Sequence, residues 1–242
     1  MSSRVLPYVV PLLLLQALAA CSAENNADAV TSDAMGDVAT ATPQTEAADT
    51  KLVLAFGDSL YAGYGVAPNE SFPAELEKAL DARGTPVTVQ NAGVSGDTSA
   101  AGLRRLAFTL DGLPRKPDLA LVNLGGNDML RGVDPAETRR NLTAICEELK
   151  RRGIPIMLTG MVAAPNLGRE YADRFNPIYP DLARKFDAAL YPFFLEGVVT
   201  RPELMLPDRV HPNPAGIDRI VAKVAPIVAT RLGGNPRKER KG

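Results

Sequence analysis

Residues 51–59 read "KLVLAFGDS", an apolar run that stops at a glycine, an aspartate and a serine. A short apolar run without alternation is typical of a strand that is buried on both faces of a sheet. The abrupt change to polar residues marks the end of that strand. Ser59 is therefore either the hydroxyl of an ordinary turn or a nucleophile at the edge of a sheet, and this stretch alone does not decide between the two.

The chain downstream of this strand alternates between helical and apolar segments. Helices are predicted over residues 72–83, 98–110, 135–152 and 169–189, and a last helix begins at Pro214 with Asn213 as its N-cap. Further strands are predicted in "VTVQN" (87–91), "PDLALVNLGGND" (117–128), "IPIMLTGMV" (154–162) and "LYPFF" (190–194). This order predicts an α/β protein with a mainly parallel sheet and helices on both faces. Ligands of such sheets bind outside the carboxyl ends of the strands.

The composition is that of an ordinary globular protein and disfavours several functions. The 242 residues carry 27 basic and 28 acidic side chains, and this balance gives no reason to expect nucleic acid as a partner. Cys21, Cys146 and His211 are the only cysteines and histidine, too few for a four-ligand zinc site of these residue types. Cys146 is expected to be a buried thiol on the helix over 135–152. Walker and GxGxxG motifs are absent, and we expect no metal and no cofactor.

The first twenty residues have the features of an export signal. Arg4 precedes an apolar run over residues 5–15 that is short and interrupted by proline, unlike a membrane span. The sequence "LAAC" that ends at Cys21 resembles the bacterial lipobox, which is cleaved before a cysteine that then carries lipid. The alternative is a plain secretory signal with an incidental cysteine. We expect a lipoprotein signal peptide over 1–20 and a membrane anchor at Cys21, with Ser22 favouring the outer membrane of a bacterial cell envelope, facing the periplasm.

Two further segments flank the predicted catalytic domain, which we place at residues 51–232. Residues 21–50 are rich in Ala, Thr, Asp, Asn and Glu, and they carry too little apolar surface to offset the entropy of ordering them. This segment is predicted to be a flexible acidic tether. Residues 233–242 are predicted to be a basic, disordered tail.

Polar, glycine-rich sequence follows three of the predicted strands. It comprises residues 57–59, "NAGVSGDTS" (91–99) and "GGND" (125–128). A fourth segment, "LPDRVHPNPAG" (206–216), places Asp208 three residues before the only histidine, His211. A carboxylate at this spacing can accept the Nδ1 proton of the imidazole. That arrangement orients a histidine that must take a proton from a serine.

These four segments, taken in order, resemble the blocks of the SGNH (GDSL) hydrolase family. The blocks are GDS with Ser59, "SGDT" with Gly96, "GGND" with Asn127, and D-x-x-H-P with Asp208 and His211. The longer matches, "SGDTSAAGLRRL", "LGGNDMLRG" and "HPNP", resemble its thioesterase I, lysophospholipase and arylesterase branch. The resemblance covers about residues 51–232. It implies a flavodoxin-like three-layer α/β/α sandwich with a mainly parallel five-stranded sheet, the SGNH hydrolase fold.

The resemblance also implies a role for each of these residues. Ser59 attacks an acyl carbonyl, His211 transfers the proton, and Asp208 holds the imidazole. The N–H groups of Ser59 and Gly96 and the side-chain amide of Asn127 bind the oxyanion. The implied substrate is a small-molecule carboxylic ester or thioester, and the protein is expected to act as a monomer.

The acyl-binding surface is predicted with less detail. The segment "AAPNLGREYADRF" (163–175) resembles the pocket-lining segment of thioesterase I, and its alternative is an ordinary surface loop. The candidate substrate-binding residues are Met161, Val162, Pro165 and Leu167. Asp58 and Asp128, which border the site, are expected to hold turns by accepting backbone N–H bonds.

Two other functions remain open at this point. One is an O-acetyl esterase of the same fold that acts on cell-wall or exported polysaccharide. The other is a non-catalytic envelope lipoprotein that binds a ligand in the same cleft.

Overall fold

A computed structural model of the protein describes residues 50–233. The predicted signal peptide, the tether up to residue 49 with Cys21, and residues 234–242 of the predicted tail lie outside the described residues. Between residues 50 and 233, no helix combines the length and the hydropathy that crossing a bilayer requires.

The five strands form one parallel sheet. They are β1 (Lys51–Gly57), β2 (Val87–Gly93), β3 (Leu119–Asn123), β4 (Ile156–Thr159) and β5 (Ala189–Tyr191). The spatial order is β2-β1-β3-β4-β5, with parallel pairing throughout, which is the flavodoxin-like order. All residues of β1 after Lys51 are buried, as expected for a strand that is covered on both faces.

The helices connect successive strands and cover both faces of the sheet. They are α1 (Ser59–Ala62), α2 (Phe72–Asp81), α3 (Ser99–Asp111), α4 (Gly126–Leu130), α5 (Pro135–Arg151), α6 (Gly168–Phe175), α7 (Ile178–Phe186) and α8 (Pro214–Arg231). Helix α2 packs with α8, whereas α5 packs with both α3 and α7. Right-handed crossovers in this strand order place these two groups on opposite faces.

Amphipathic helices provide much of the core. The buried positions of α5 include Leu142, Ile145, Cys146 and Leu149, which have the i, i+3, i+4, i+7 spacing of one helix face. Burying one such aliphatic side chain stabilises the fold by about 1.5–3 kcal/mol. Cys146 is fully buried, as predicted.

Side-chain caps fix where the helices begin. The Thr98 hydroxyl accepts the Ala101 N–H at 3.2 Å, and the Asn213 side chain accepts the Gly216 N–H at 3.0 Å. Both bonds satisfy an N–H group that has no partner within the helix. The predicted cap at Asn213, with Pro214 as the first helical residue, is confirmed.

The structure corrects one predicted helix and shortens three predicted strands. Of these, β3 (Leu119–Asn123) replaces the predicted 117–128, and β4 (Ile156–Thr159) replaces the predicted 154–162. The single helix predicted over 169–189 is two helices, α6 and α7, that meet at Pro177. Proline has no N–H to donate to the carbonyl four residues earlier, so it interrupts the ladder. Strand β5 ends at Tyr191, before Pro192, rather than continuing to Phe194.

The turn after β1 packs closely against the end of β2. A side chain at Gly93 would place its Cβ 2.3 Å from the backbone nitrogen of Ala62 in α1. Only glycine permits this approach. The short helix that carries Ser59 is therefore seated directly on the carboxyl edge of the sheet.

Candidate active site

Ser59 lies at the first position of α1, two residues beyond the end of β1. The preceding residue, Asp58, is the N-cap of α1, and its Oδ1 accepts the Leu60 N–H at 3.0 Å. The Asp58 N–H donates to the Asn123 carbonyl at the end of β3, at 3.2 Å. The nucleophile predicted from the sequence is thus held between β1 and β3 at the edge where ligands bind.

The segment before α8 forms a closed loop around Asp208 and His211. The Leu206 N–H donates to the His211 carbonyl at 2.8 Å, and Met205 forms an isolated bridge with Pro212. Within this loop, Asp208 Oδ1 accepts the N–H groups of Val210 at 2.9 Å and of His211 at 3.0 Å. The loop therefore fixes the carboxylate before any contact with the serine is made.

The structure brings Ser59, His211 and Asp208 into one hydrogen-bonded series. His211 Nδ1 lies 2.7 Å from Asp208 Oδ2, and His211 Nε2 lies 2.9 Å from Ser59 Oγ. With the imidazole neutral, Nδ1 donates to the carboxylate and Nε2 accepts the serine O–H. The base is then in the tautomer that takes a proton from serine.

Hydrogen bonding keeps the Asp208 carboxylate ionised. Desolvation opposes ionisation, but the N–H groups of His211 and Val210 and the His211 ring outweigh it and lower the pKa of Asp208 to about 2. A negative charge beside Nδ1 would stabilise an imidazolium if His211 took a proton from Ser59.

Tyr64 packs against the His211 imidazole. The centroids of the two rings are 4.4 Å apart, and the rings are inclined by 33°. Tyr64 lies only five residues after Ser59, so the turn that presents the nucleophile also supports the base. No motif in the sequence predicts this role for Tyr64, although it lies in the same glycine-rich stretch as Ser59.

Two backbone N–H groups at the site are free to bind an oxyanion. Ser59 and Gly96 both line the cleft, and neither N–H donates to an acceptor among the described residues. Gly96 has φ +85°, a left-handed conformation that side-chain-bearing residues rarely adopt. The Gly96 carbonyl accepts the Arg131 guanidinium at 2.8 Å, which fixes the loop.

Asn127 lies across the cleft on α4, and its amide is held by two acceptors. Nδ2 donates to the Asp97 carbonyl at 3.0 Å and to Asp58 Oδ2 at 3.3 Å. The second bond is the longer of the two. An oxyanion between Ser59 and Gly96 would therefore compete with the Asp58 carboxylate for one hydrogen of this amide.

Asp58 and Asp128 are buried acids beside the site. Burial is the largest cause that raises the pKa of Asp58, to about 7; the Leu60 and Asn127 donors oppose it, and the charges of Asp97 and Asp128 add to it. Asp128 accepts the Ser99 N–H at 2.7 Å and bonds both the Ser99 and the Thr138 hydroxyl groups. Both acids accept backbone N–H groups, as predicted, and Asp128 ties α4 to α3 and α5.

The cleft beside Ser59 has a volume of about 440 Å³ and a largely apolar lining. Of the four predicted substrate-binding residues, only Met161 lines it; Val162 and Pro165 are exposed outside it, and Leu167 is half-buried against the core. The remaining apolar lining is contributed by Leu60, Tyr64, Met129, Leu130, Ala164, Leu195, Val199 and Val210.

The part of the cleft lining that follows β5 is not among the residues predicted from the sequence. Leu195 and Val199 belong to the connection between β5 and α8, at the same carboxyl edge as the catalytic motifs. The rule that places ligands at this edge applies to β5 as it does to β1, so the order of elements could have identified the segment.

In residues 50–233 no group of three or more His, Cys, Asp and Glu side chains is arranged to hold a metal ion.

A comparison with protein-family models matches residues 55–219 to the GDSL-like lipase/acylhydrolase family. The matched range includes the five residues predicted to form the triad and the oxyanion hole. It also contains every strand beyond the first four residues of β1.

Similar proteins are found among curated sequences and solved structures. An arylesterase of Vibrio mimicus is 43% identical over 188 residues, which cover 78% of this chain and 92% of that protein. Thioesterase 1/protease 1/lysophospholipase L1 of Escherichia coli is 40% identical over 186 residues, which cover 75% of this chain and 86% of that protein. The crystal structure of AlinE4, an SGNH-hydrolase family esterase, has a TM-score of 0.65 and 56% identity, over 76% of this chain and 97% of AlinE4. Sequence and structure comparisons thus lead to the same group of proteins.

Proposed function

Because the chain belongs to the GDSL-like lipase/acylhydrolase family, we propose that it hydrolyses carboxylic esters or thioesters as a serine hydrolase, of arylesterase, acyl thioesterase or lysophospholipase type. The observation that carries the proposal is the pair of hydrogen bonds that joins Ser59 to His211 and His211 to Asp208. A serine beside a neutral imidazole that a carboxylate orients is the arrangement that activates a hydroxyl nucleophile.

In the first half of the reaction, Ser59 Oγ attacks the carbonyl carbon of the substrate while its proton passes to His211 Nε2. The carbonyl oxygen becomes an oxyanion, which the Ser59 and Gly96 N–H groups and the Asn127 amide would bind. When the tetrahedral intermediate collapses, the bond from carbon to the leaving oxygen or sulfur breaks. His211 returns its proton to that leaving group, and the acyl group remains on Ser59.

In the second half, a water molecule replaces the leaving group. His211 takes a proton from the water as its oxygen attacks the acyl carbon, and the same donors bind the second oxyanion. Collapse breaks the ester bond to Ser59, whose oxygen recovers the proton from His211. The products are a carboxylic acid and an alcohol or thiol, and no cofactor is needed.

The lining of the cleft supports acyl groups of more than two carbons. Met161, Leu195 and Val199 present apolar surface beside the nucleophile, and an acetyl group alone would leave most of the 440 Å³ cleft unfilled. Hydrolysis rates for nitrophenyl esters and acyl-CoA thioesters of increasing chain length test this. Hydrolysis of acetyl esters alone, with none at hexanoyl or longer, would favour the polysaccharide O-acetyl esterase instead.

Covalent labelling tests the proposed nucleophile. A fluorophosphonate should label the wild-type protein at Ser59 and should fail to label Ser59→Ala and His211→Ala. Ser95→Ala is the matched control, since Ser95 lines the same cleft and should leave labelling intact. Labelling that persists in Ser59→Ala would overturn the assignment. A folded wild-type protein that never labels and turns over no ester would favour the non-catalytic binding protein.

The location in the cell envelope is also a proposal. It rests on the residues that precede the described domain, namely the apolar run over 5–15, the lipobox-like end at Cys21 and the acidic segment over 21–50. Lipid attachment at Cys21 would tether a monomeric hydrolase to the membrane on the periplasmic side. Mass spectrometry of the N-terminal peptide and fractionation of Cys21→Ser cells test it; an unmodified Cys21 in the mature protein would contradict it.

A further inference from the structure

The exposed apolar side chains of the described residues are concentrated at the mouth of the cleft. Seven large apolar side chains are exposed within residues 50–233, and four of them line the cleft: Tyr64, Leu130, Val199 and Val210. Two more, Val94 and Val162, adjoin the lining residues Ser95 and Met161 in the chain. The seventh, Phe108 on α3, does not line the cleft.

These side chains are more exposed to water than residues that only line an acyl site need to be. Leu130 is 60% exposed and Tyr64 is 53% exposed, whereas Met161, deeper in the same cleft, is 7% exposed. Grouped exposed apolar side chains are costly in water and mark surfaces that bind a partner or a membrane. A substrate confined to the cleft would leave the outer parts of these residues in water.

Two arginines stand among these apolar residues. Arg131 directly follows Leu130, and its guanidinium binds the Gly96 carbonyl, while Arg209 lines the cleft immediately before Val210. Both are exposed, and within the described part of the chain neither lies within 4.0 Å of a carboxylate oxygen. Two guanidinium groups without carboxylate partners, set between apolar side chains, are complementary to a surface that is both apolar and anionic.

The backbone at Arg209 is held in a tight turn. Arg209 has φ +57°, in the left-handed region that is unfavourable for a residue with a Cβ. Its N–H donates to the Leu206 carbonyl at 2.9 Å, and this turn holds the Arg209 side chain beside the cleft.

We propose that this rim, defined as Tyr64, Leu130, Arg131, Val199, Arg209 and Val210, docks on the surface of an anionic phospholipid bilayer. The apolar side chains enter the boundary between headgroups and acyl chains, and the two guanidinium groups bind lipid phosphates. The cleft then opens onto the bilayer, and an acyl substrate reaches Ser59 without crossing water. This inference rests on the proposed function in one respect, which is that substrate enters through this cleft.

The absence of tryptophan from the chain permits a site-specific test. Leu130→Trp places a single fluorophore on the rim, and Phe108→Trp places one at an exposed apolar position outside it. Both are made in the full chain that also carries Ser59→Ala, so that no lipid is hydrolysed. Each protein is mixed with vesicles of phosphatidylcholine and phosphatidylglycerol, with vesicles of phosphatidylcholine alone, and with brominated lipids as quenchers.

We expect the emission of Leu130→Trp to shift to the blue on the anionic vesicles and to be quenched by brominated lipid, while that of Phe108→Trp stays unchanged. Any attachment through the N-terminal segment is common to both proteins, so only docking of the rim separates them. Adding Arg131→Gln and Arg209→Gln to Leu130→Trp should weaken its response to anionic vesicles about tenfold or more.

Four results would each overturn the proposal. They are no response of Leu130→Trp, an equal response of Phe108→Trp, emission of Leu130→Trp that is already blue-shifted in buffer and does not change, and an equal response on phosphatidylcholine alone. These readouts involve no hydrolysis. Docking can therefore fail while fluorophosphonate labelling of Ser59 succeeds, and labelling can fail while docking succeeds. The two proposals are tested separately.

Discussion

His211 Nδ1 lies 2.7 Å from Oδ2 of Asp208, a residue only three positions earlier in the same loop. The other oxygen of that carboxylate accepts the N–H groups of Val210 and His211. One carboxylate thus holds both the backbone that carries the base and the ring of the base itself. Because the two tasks use different oxygens, a substitution can separate them.

Asp208→Asn should lower kcat by about 10³–10⁴-fold while the protein stays folded, since an amide can keep the backbone contacts yet lose the charge that supports the imidazolium. The measurement is kcat with a nitrophenyl ester, with the melting temperature as the control for folding. Activity within tenfold of wild type would contradict the role of Asp208.

Asn127→Ala should reduce kcat by about 10²–10³-fold with little change in KM, because the amide would contribute mainly to binding the oxyanion in the transition state. Asn69→Ala removes an exposed carboxamide outside the cleft and serves as the matched control. Steady-state kinetics on both variants check this. A KM effect without a kcat effect would instead assign Asn127 to ground-state binding.

Tyr64→Ala should lower kcat about two- to tenfold, because the imidazole loses the ring that packs on it, whereas Tyr64→Phe should keep nearly full activity. The readout is kcat for a short-chain ester, on which the apolar lining has least effect. Equal activity of the alanine and phenylalanine variants would show that the packing does not position the base.

Asp58 should make the protein less stable as the pH rises. Its pKa is about 7 in the fold and near 3.8 without burial, so its contribution to stability is fully present below about pH 4 and is lost as the pH rises through about 7. Between about pH 5 and about pH 8, the free energy of unfolding of wild type should fall relative to that of Asp58→Asn by more than about 1.4 kcal/mol, the equivalent of one pKa unit. Urea titrations of both proteins at each pH measure this difference. A difference that is constant across this pH range would be evidence against a buried, titrating Asp58.

Cys146 should be unreactive in the folded protein. Desolvation is the largest cause that raises the pKa of its thiol, to about 12, and the neighbouring charge of Glu147 adds to it. Alkylation followed by peptide mapping should find Cys146 modified only after denaturation. Rapid modification under native conditions would show that α5 opens locally.

The sequence predicts the sheet well because three of its strands, β1, β3 and β4, are apolar runs buried on both faces. Each of the five predicted strands is present, and β1 and β3 are buried throughout after Lys51. The short helices α1 and α4 were not predicted, because four or five residues cannot display a helical period. The break at Pro177 was missed because the apolar spacing continues on both sides of it.

The candidate site likewise contains residues that the sequence predicts and residues that it does not. Ser59, Gly96, Asn127, Asp208 and His211 each lie in a motif, and the fold gathers all five around one cleft. The apolar wall carries no such signal, because Leu195 and Val199 look like any core residues in the sequence. Which apolar residues face a cleft rather than the core depends on the path of the chain after β5, and local pattern does not encode that path.

The hydrogen bond between Ser59 and His211 joins residues that are 152 positions apart in the chain. The nucleophile belongs to the first turn of the domain, whereas the acid and the base belong to the last loop, just before α8. A nascent chain therefore presents its serine long before the imidazole of His211 can reach it. Under the proposed function, catalytic competence would arrive only when the loop before α8 docks, so a copy that ends before His211 would be chemically silent.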